Sequence, residues 1–194
     1  MLPTVDEALN ELILAGELNP GPWVKHSINA GIAARNIAEK VSWLNPEKAY
    51  IVGLLHDIGR RVGIVDIPTH VYEGYRYCLG KGWDEAARVC MTHSYLRMQE
   101  EFSYDPDNEQ EKAIKAYIMS CQADDYDKLI QLCDAIAGAE GIMDIIDRMS
   151  DVKRRYGSYD PGKWQTNLDL KEYFEAKMGK DLYEAVEKDT KTVF

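Results

Sequence analysis

This 194-residue sequence is most informative where it is sparse. It has four cysteines, Cys78, Cys90, Cys121 and Cys133, and none forms a C-x-x-C pair. Scattered thiols among apolar neighbours read as reduced core cysteines of a cytosolic protein, not as a disulfide framework. Positive charge is also short, with 23 Lys and Arg against 33 Asp and Glu and a net charge of -10. Such a chain repels polyanions, which argues against a nucleic-acid duplex or a membrane surface as partner. A small phosphorylated substrate stays open, because bound cations can reverse the local sign. Long apolar runs are missing; the strongest, residues 51–55, is far too short to span a bilayer. The first residues, Met1-Leu2-Pro3-Thr4-Val5-Asp6, have neither the basic region nor the apolar run of a signal peptide, so the expected location is the cytoplasm. There is no internal repeat, no G-x-G-x-x-G and no Walker A loop.

What is present is helical punctuation. With 45% hydrophobic and 29% charged residues, the composition is that of a globular chain, and the length suits one domain, residues 1–194. Thr4 and Glu7 form a capping box, Pro22 can start a second helix, and Asn45-Pro46 caps a third that carries His56-Asp57 in its last turn, with Gly59 as the stop. Residues 60–67 read as loop, with a short extended piece at 62–65. Pro68 restarts a helix through His70, and another runs from Asp84 through His93. Residues 103–110 (SYDPDNEQ) are turn chemistry. A long helix is expected from Asp125 to Met149, bent at Gly138 or Gly141, and a polar loop at 156–162 leads to terminal helices between 168 and 188. The expected fold is all-α.

All four histidines, His26, His56, His70 and His93, precede residue 94, and Asp57 and Asp134 accompany them. His26 shares a helix face with Trp23, Ala30, Ala33 and Ile37, which are core types. Asp134 shares its face with Ile130, Ala137, Gly138 and Gly141, none of which offers positive charge. A buried carboxylate needs a cation, and neutral imidazole with carboxylate suits Fe, Mn, Co, Ni or Zn. A shared divalent metal would satisfy the whole set.

Leu54-Leu55-His56-Asp57-Ile58-Gly59 resembles the signature of the HD superfamily of metal-dependent phosphohydrolases. The resemblance extends to His26 on an earlier helix, to His70-Val71-Tyr72-Glu73-Gly74 and Met91-Thr92-His93, which are similar to elements of two-metal members, and to a late Asp at 134. It covers residues 22–147 as an HD-domain helical bundle, leaving 148–194 as a C-terminal helical extension. It implies that His26, His56, Asp57 and Asp134 hold one ion and that Asp57 bridges to a second, held also by His70 and His93. It further implies a dinuclear centre that hydrolyses a nucleotide or another small phosphate ester, with ions about 3.5–4 Å apart.

Asp57 and Arg60 are the expected catalytic residues. Arg60, Arg61 and Asn29 are the candidate substrate contacts, since Arg binds phosphate bidentately and Asn29 lies three residues after His26 on the ligand face. Many relatives that hydrolyse diadenosine tetraphosphate carry Arg where this chain has Asn29, which weakens the transfer of that substrate. Two other functions fit the same ligand order: an HD-fold mixed-valent di-iron oxygenase, and a ligand-binding module without chemistry. Lys153-Arg154-Arg155-Tyr156 with Tyr159, Lys163 and Trp164 reads as a solvated helix end, and Asp124-Asp125-Tyr126-Asp127 as a helix N-terminus.

Overall fold

The computed structural model describes residues 1–95, 105 and 107–186. Ten helices appear among them: α1 (Val5–Leu18), α2 (Trp23–Ala38), α3 (Pro46–Leu55), α4 (Ile67–Gly80), α5 (Asp84–Thr92), α6 (Glu109–Ser120), α7 (Asp125–Ile136), α8 (Ile145–Tyr156), α9 (Pro161–Met178) and α10 (Leu182–Val186). The expected all-α fold is what the structure has, apart from a two-residue antiparallel hairpin, β1 (Ala137–Gly138) with β2 (Gly141–Ile142). Among the described residues no helix is long and apolar enough to cross a membrane. Residues 103, 104 and 106 of the expected turn segment, and the end of the last expected helix at 187–188, lie outside the described residues; Asn108 caps α6 at the close of that segment.

α3 is the axis of the molecule. Ala49, Ile51, Val52, Leu54 and Leu55 are buried all round it, as befits a helix without a polar face. One side packs with α2, α7, α8, α9 and α10, and the other with α1, α4 and α5. His56 and Asp57, at its C-terminal end, therefore emerge in the middle of the protein. α2 crosses α3 at two glycines: a Cβ on Gly53 would stand 2.6 Å from the Cα of Gly31. That close crossing brings His26 beside His56.

Four expectations need correction. Gly59 does not end α3, which stops at Leu55; residues Ile58–Val62 continue as a 3-10 turn, with Arg60 N–H donating to Asp57 O at 2.9 Å. The expected loop at 60–67 is thus partly helical, and no extended piece forms at 62–65. Gly59 serves instead as a contact point, since a Cβ there would meet His70 O at 1.9 Å and Gly74 N at 2.4 Å. The long helix expected between Asp125 and Met149 is two helices, because Gly141 adopts φ +131° and the hairpin turns the chain between them. The loop expected at 156–162 closes at Asp160, whose carboxylate accepts from Lys163 N–H at 2.6 Å and starts α9 at Pro161.

The acidic run does cap α7: Asp124 and Asp127 form a reciprocal box at its start. Asp127 has a second task. Its carboxylate is fully buried and accepts from Arg88 Nε at 3.1 and 3.0 Å and from Thr92 Oγ1 at 2.8 Å, tying α5 to α7 next to His93. Removing one partner of a buried ion pair strands the other, so Asp127→Ala is expected to cost about 3–5 kcal/mol in denaturant unfolding. A loss below about 1 kcal/mol would mean that the network is incidental.

Candidate metal centre

Five helix ends deliver the six expected ligands to one place: His26 from α2, His56 and Asp57 from α3, His70 from α4, His93 from α5 and Asp134 from α7. Each histidine has its Nδ1 at a main-chain carbonyl: His26 on Ala137 O at 2.9 Å, His56 on Gly53 O at 2.7 Å, His70 on Asp66 O at 3.1 Å and His93 on Cys90 O at 2.9 Å. A carbonyl only accepts, so in every case Nδ1 carries the proton and Nε2 presents a lone pair. Backbone partners of this kind are what orient metal-binding imidazoles. The rings form a continuous series, with centroids 5.2 Å apart for His26–His56, 5.1 Å for His56–His93 and 5.6 Å for His70–His93.

The ligand atoms fall into two triads, His26 with His56 and Asp134, and Asp57 with His70 and His93. Asp134 Oδ1 lies 3.2 Å from His26 Nε2 and 4.0 Å from His56 Nε2. Asp57 Oδ1 lies 3.1 Å from His70 Nε2 and 3.6 Å from His93 Nε2. The geometry groups Asp57 with the later histidines, not with His26, His56 and Asp134 as the resemblance implied for the first ion. Its other oxygen, Oδ2, accepts from Arg60 Nε at 2.5 Å.

A cation fits these residues. His26 Nε2 and His56 Nε2 face each other at 3.3 Å, and with both Nδ1 atoms protonated neither has a hydrogen to share. His70 Nε2 is buried with no hydrogen bond, despite its closeness to Asp57. Lone pairs buried against lone pairs are costly unless something positive joins them. The chemistry of the set, imidazole with carboxylate, suits a first-row divalent metal.

Electrostatics keep the ligands in the forms a metal needs. Burial pushes His93 down to about 3, helped by the neighbouring His56 and opposed by Asp57. Burial likewise lowers His56. Burial pushes Asp57 up, but Arg60, His70 and His56 outweigh it, and its carboxyl lies well below the usual range. For Asp134 burial is likewise outweighed, by His26 and by Lys163. Unfolded histidine titrates near 6.5, so the neutral rings of His56 and His93 stabilise the fold above that pH. The unfolded chain binds the extra protons as the pH falls from about 6.5 towards 3, and stability is lost over that window. The two aspartates add stability that is lost only at lower pH, through their depressed folded values. The melting temperature of metal-free protein should therefore drop between pH 7 and 5; a flat profile would contradict these buried neutral rings.

The proposed substrate contacts divide. Arg60 is at the centre, locked to Asp57. Arg61 is drawn away, its guanidinium 3.7 Å above the Tyr77 ring and within electrostatic reach of Glu11. The Asn29 amide donates to Gly138 O at 2.8 Å and Ala139 O at 3.3 Å, so it pins the hairpin that also orients His26. Lys163, read from the sequence as part of a solvated helix end, instead interacts electrostatically with Asp134 and Asp57. Its neighbours Lys153, Arg154 and Arg155 are indeed exposed in the last turn of α8. No sequence signal marks Lys163, because its approach depends on how α9 packs on α7.

Comparisons with known proteins agree on the fold. The family model for the HDOD domain matches residues 11–93. The HD domain of the L. monocytogenes phosphodiesterase PgpH, in complex with cyclic-di-AMP, superposes with a TM-score of 0.50 at 15% identity, covering 84% of this chain and 92% of that one. A second structure of the PgpH HD domain gives 0.48 at 14% identity, covering 89% and 97%. No curated protein matches the chain significantly.

Proposed function

From an HD-superfamily, phosphohydrolase-like fold, we propose that this protein is a metal-dependent hydrolase of small phosphate esters, with a dinuclear centre held by His26, His56, Asp134, Asp57, His70 and His93. The observation that carries the reading is the convergence of four Nε2 lone pairs and two carboxylates on one buried spot, each imidazole fixed by a main-chain carbonyl. When bound, divalent metal ions supply Lewis-acid polarisation of a phosphate and lower the pKa of water. The chain's own part is positioning. Asp57 offers one oxygen to the His70–His93 side and holds Arg60 with the other, so the guanidinium stays beside the centre where negative charge would be met. The buried rings around it exclude bulk water, which strengthens each of these interactions.

HDOD domains are not always catalytic, and a ligand-binding module would need no turnover. The complete ligand set favours chemistry here. The test is elemental analysis of purified protein followed by a panel of nucleotides, phosphomonoesters and cyclic dinucleotides. The last class is included because the similar PgpH domain was solved with cyclic-di-AMP. Metal-dependent release of phosphate or of a mononucleotide is the expected result. A mixed-valent iron signal in electron paramagnetic resonance with no hydrolysis of any ester would replace this reading with the oxygenase one.

A further inference from the structure

α9 runs antiparallel to α7, and two side-chain contacts fix the register. Tyr173 Oη donates to Asp125 Oδ1 at 3.0 Å, and Gln131 Nε2 donates to Asn167 Oδ1 at 2.9 Å. Six residues down α9 thus correspond to six residues up α7. One further turn sets Lys163, four residues before Asn167, opposite Asp134, three residues after Gln131. Asn167 is itself fully buried and held by Tyr159 Oη at 2.8 Å, so the register is rigid where it matters. Asp134, Asp57 and Asp160, the last at the start of its own helix, are the carboxylates within electrostatic reach of Lys163, and Arg148 is the cation within reach.

Other cations flanking the ligand-bearing segments are engaged, Arg61 through its stacking, since its Nη1 makes no hydrogen bond. Arg60 is bonded to Asp57, Arg61 lies on Tyr77, and Arg148 Nε donates to Ala137 O at 2.7 Å. Lys25 pairs with Glu140 at 3.6 Å on the exposed side of α2. Among the described residues, the half-buried Lys163 ammonium makes no hydrogen bond and no ion pair. A desolvated ammonium within reach of two carboxylates, but bonded to neither, is a cation held for something else.

We propose that Lys163 is the phosphate-binding residue of this centre, carried over the two triads by α9 so that its ammonium meets the non-bridging oxygens of a phosphate ester. The proposal rests on the hydrolase reading for what the phosphate belongs to, but not for the presence of the anion site. It assigns phosphate recognition to a helix outside residues 11–93, the part shared with the HDOD model. Burial lowers the Lys163 ammonium below its ordinary value, and Asp134, Asp57 and Asp160 offset this only in part. As a flexible point charge, lysine suits this task without a bidentate geometry.

The test uses the metal-loaded full chain with inorganic phosphate as the probe, read by calorimetry and by competitive inhibition of turnover. Lys163→Met is expected to weaken phosphate binding about tenfold or more, from the worth of one charge-assisted hydrogen bond. KM should rise by a similar factor while kcat changes less than about threefold, because the contact exists before and during reaction. Lys163→Arg should restore phosphate affinity to within about threefold. Lys163→Gln repeats the loss independently of how methionine packs, and metal content should be unchanged in all three. If hydrolysis proceeds but Lys163→Met and Lys163→Gln bind phosphate like the wild type, Lys163 is only a counter-ion to Asp134 and the proposal is wrong. If phosphate binds through Lys163 but no ester is hydrolysed, the anion site stands and the hydrolase reading falls.

Discussion

Asp57→Ala is expected to abolish hydrolysis and to lower metal content together. Asp57 touches both the His70–His93 side of the centre and Arg60, and it directly follows His56 in the chain. Its loss would remove a candidate ligand oxygen, free the guanidinium that it orients, and leave His70 Nε2 beside the His93 ring without its carboxylate partner. Replacing an outer-shell partner of a metal ligand typically costs about 10–100-fold in affinity or activity. A direct ligand should cost more, so activity should fall by more than about 100-fold, measured as kcat on the best substrate of the panel. Elemental analysis of the same preparation should show fewer ions per chain than wild type. A variant that keeps both its metal and its turnover would place the chemistry elsewhere.

Gly59→Ala carries the second large expectation, and it acts without touching a ligand. The added Cβ would meet main-chain atoms, His70 O at 1.9 Å and Gly74 N at 2.4 Å, and backbone cannot swing aside as a flexible side chain can. α4 would have to move off the 3-10 turn, taking His70 with it. Gly74 in turn is packed on Cys90 of α5, where a Cβ would be 3.1 Å from the sulfur, so the strain reaches the helix that ends at His93. Overpacking of this kind costs roughly 1–3 kcal/mol and sometimes more. With a Tm shift of about 2–4 °C per kcal/mol for a chain of this size, the variant should melt several degrees lower. It should also lose metal first from the Asp57–His70–His93 triad. A Gly59→Ala protein with wild-type melting and full metal content would show that the two segments are not in that contact.

How far these features were legible can be judged residue by residue. Helix starts were legible where a cap writes them locally, as at Thr4, Asn45 and Asp124. Helix ends were not, because Gly59 looks like a stop and works as a packing surface. The break after α7 was hidden for a related reason: Gly138 and Gly141 allow either a bend or a hairpin, and tertiary contacts to Asn29 and Arg148 select the hairpin. The six candidate ligands, which the structure brings together, were legible from residue type, from helix face for His26 and Asp134, and otherwise from the resemblance to the HD superfamily. Their division into triads was not, since neighbours such as His56 and Asp57 project in different directions and only the packing of α4 and α5 says which partners Asp57 meets. Arg60 and Arg61 illustrate the same limit, as the 3-10 turn sends one to Asp57 and the other to Tyr77. Lys163 depended wholly on the α7–α9 register, which no local pattern contains.

The central claim is that two contiguous triads form one metal centre. Metal content per chain, measured on wild type and on His93→Ala, tests it most directly. Two divalent ions per chain are expected in the wild type, falling to about one when His93 is replaced. One ion per chain, unchanged by loss of either His70 or His93, would contradict the dinuclear centre.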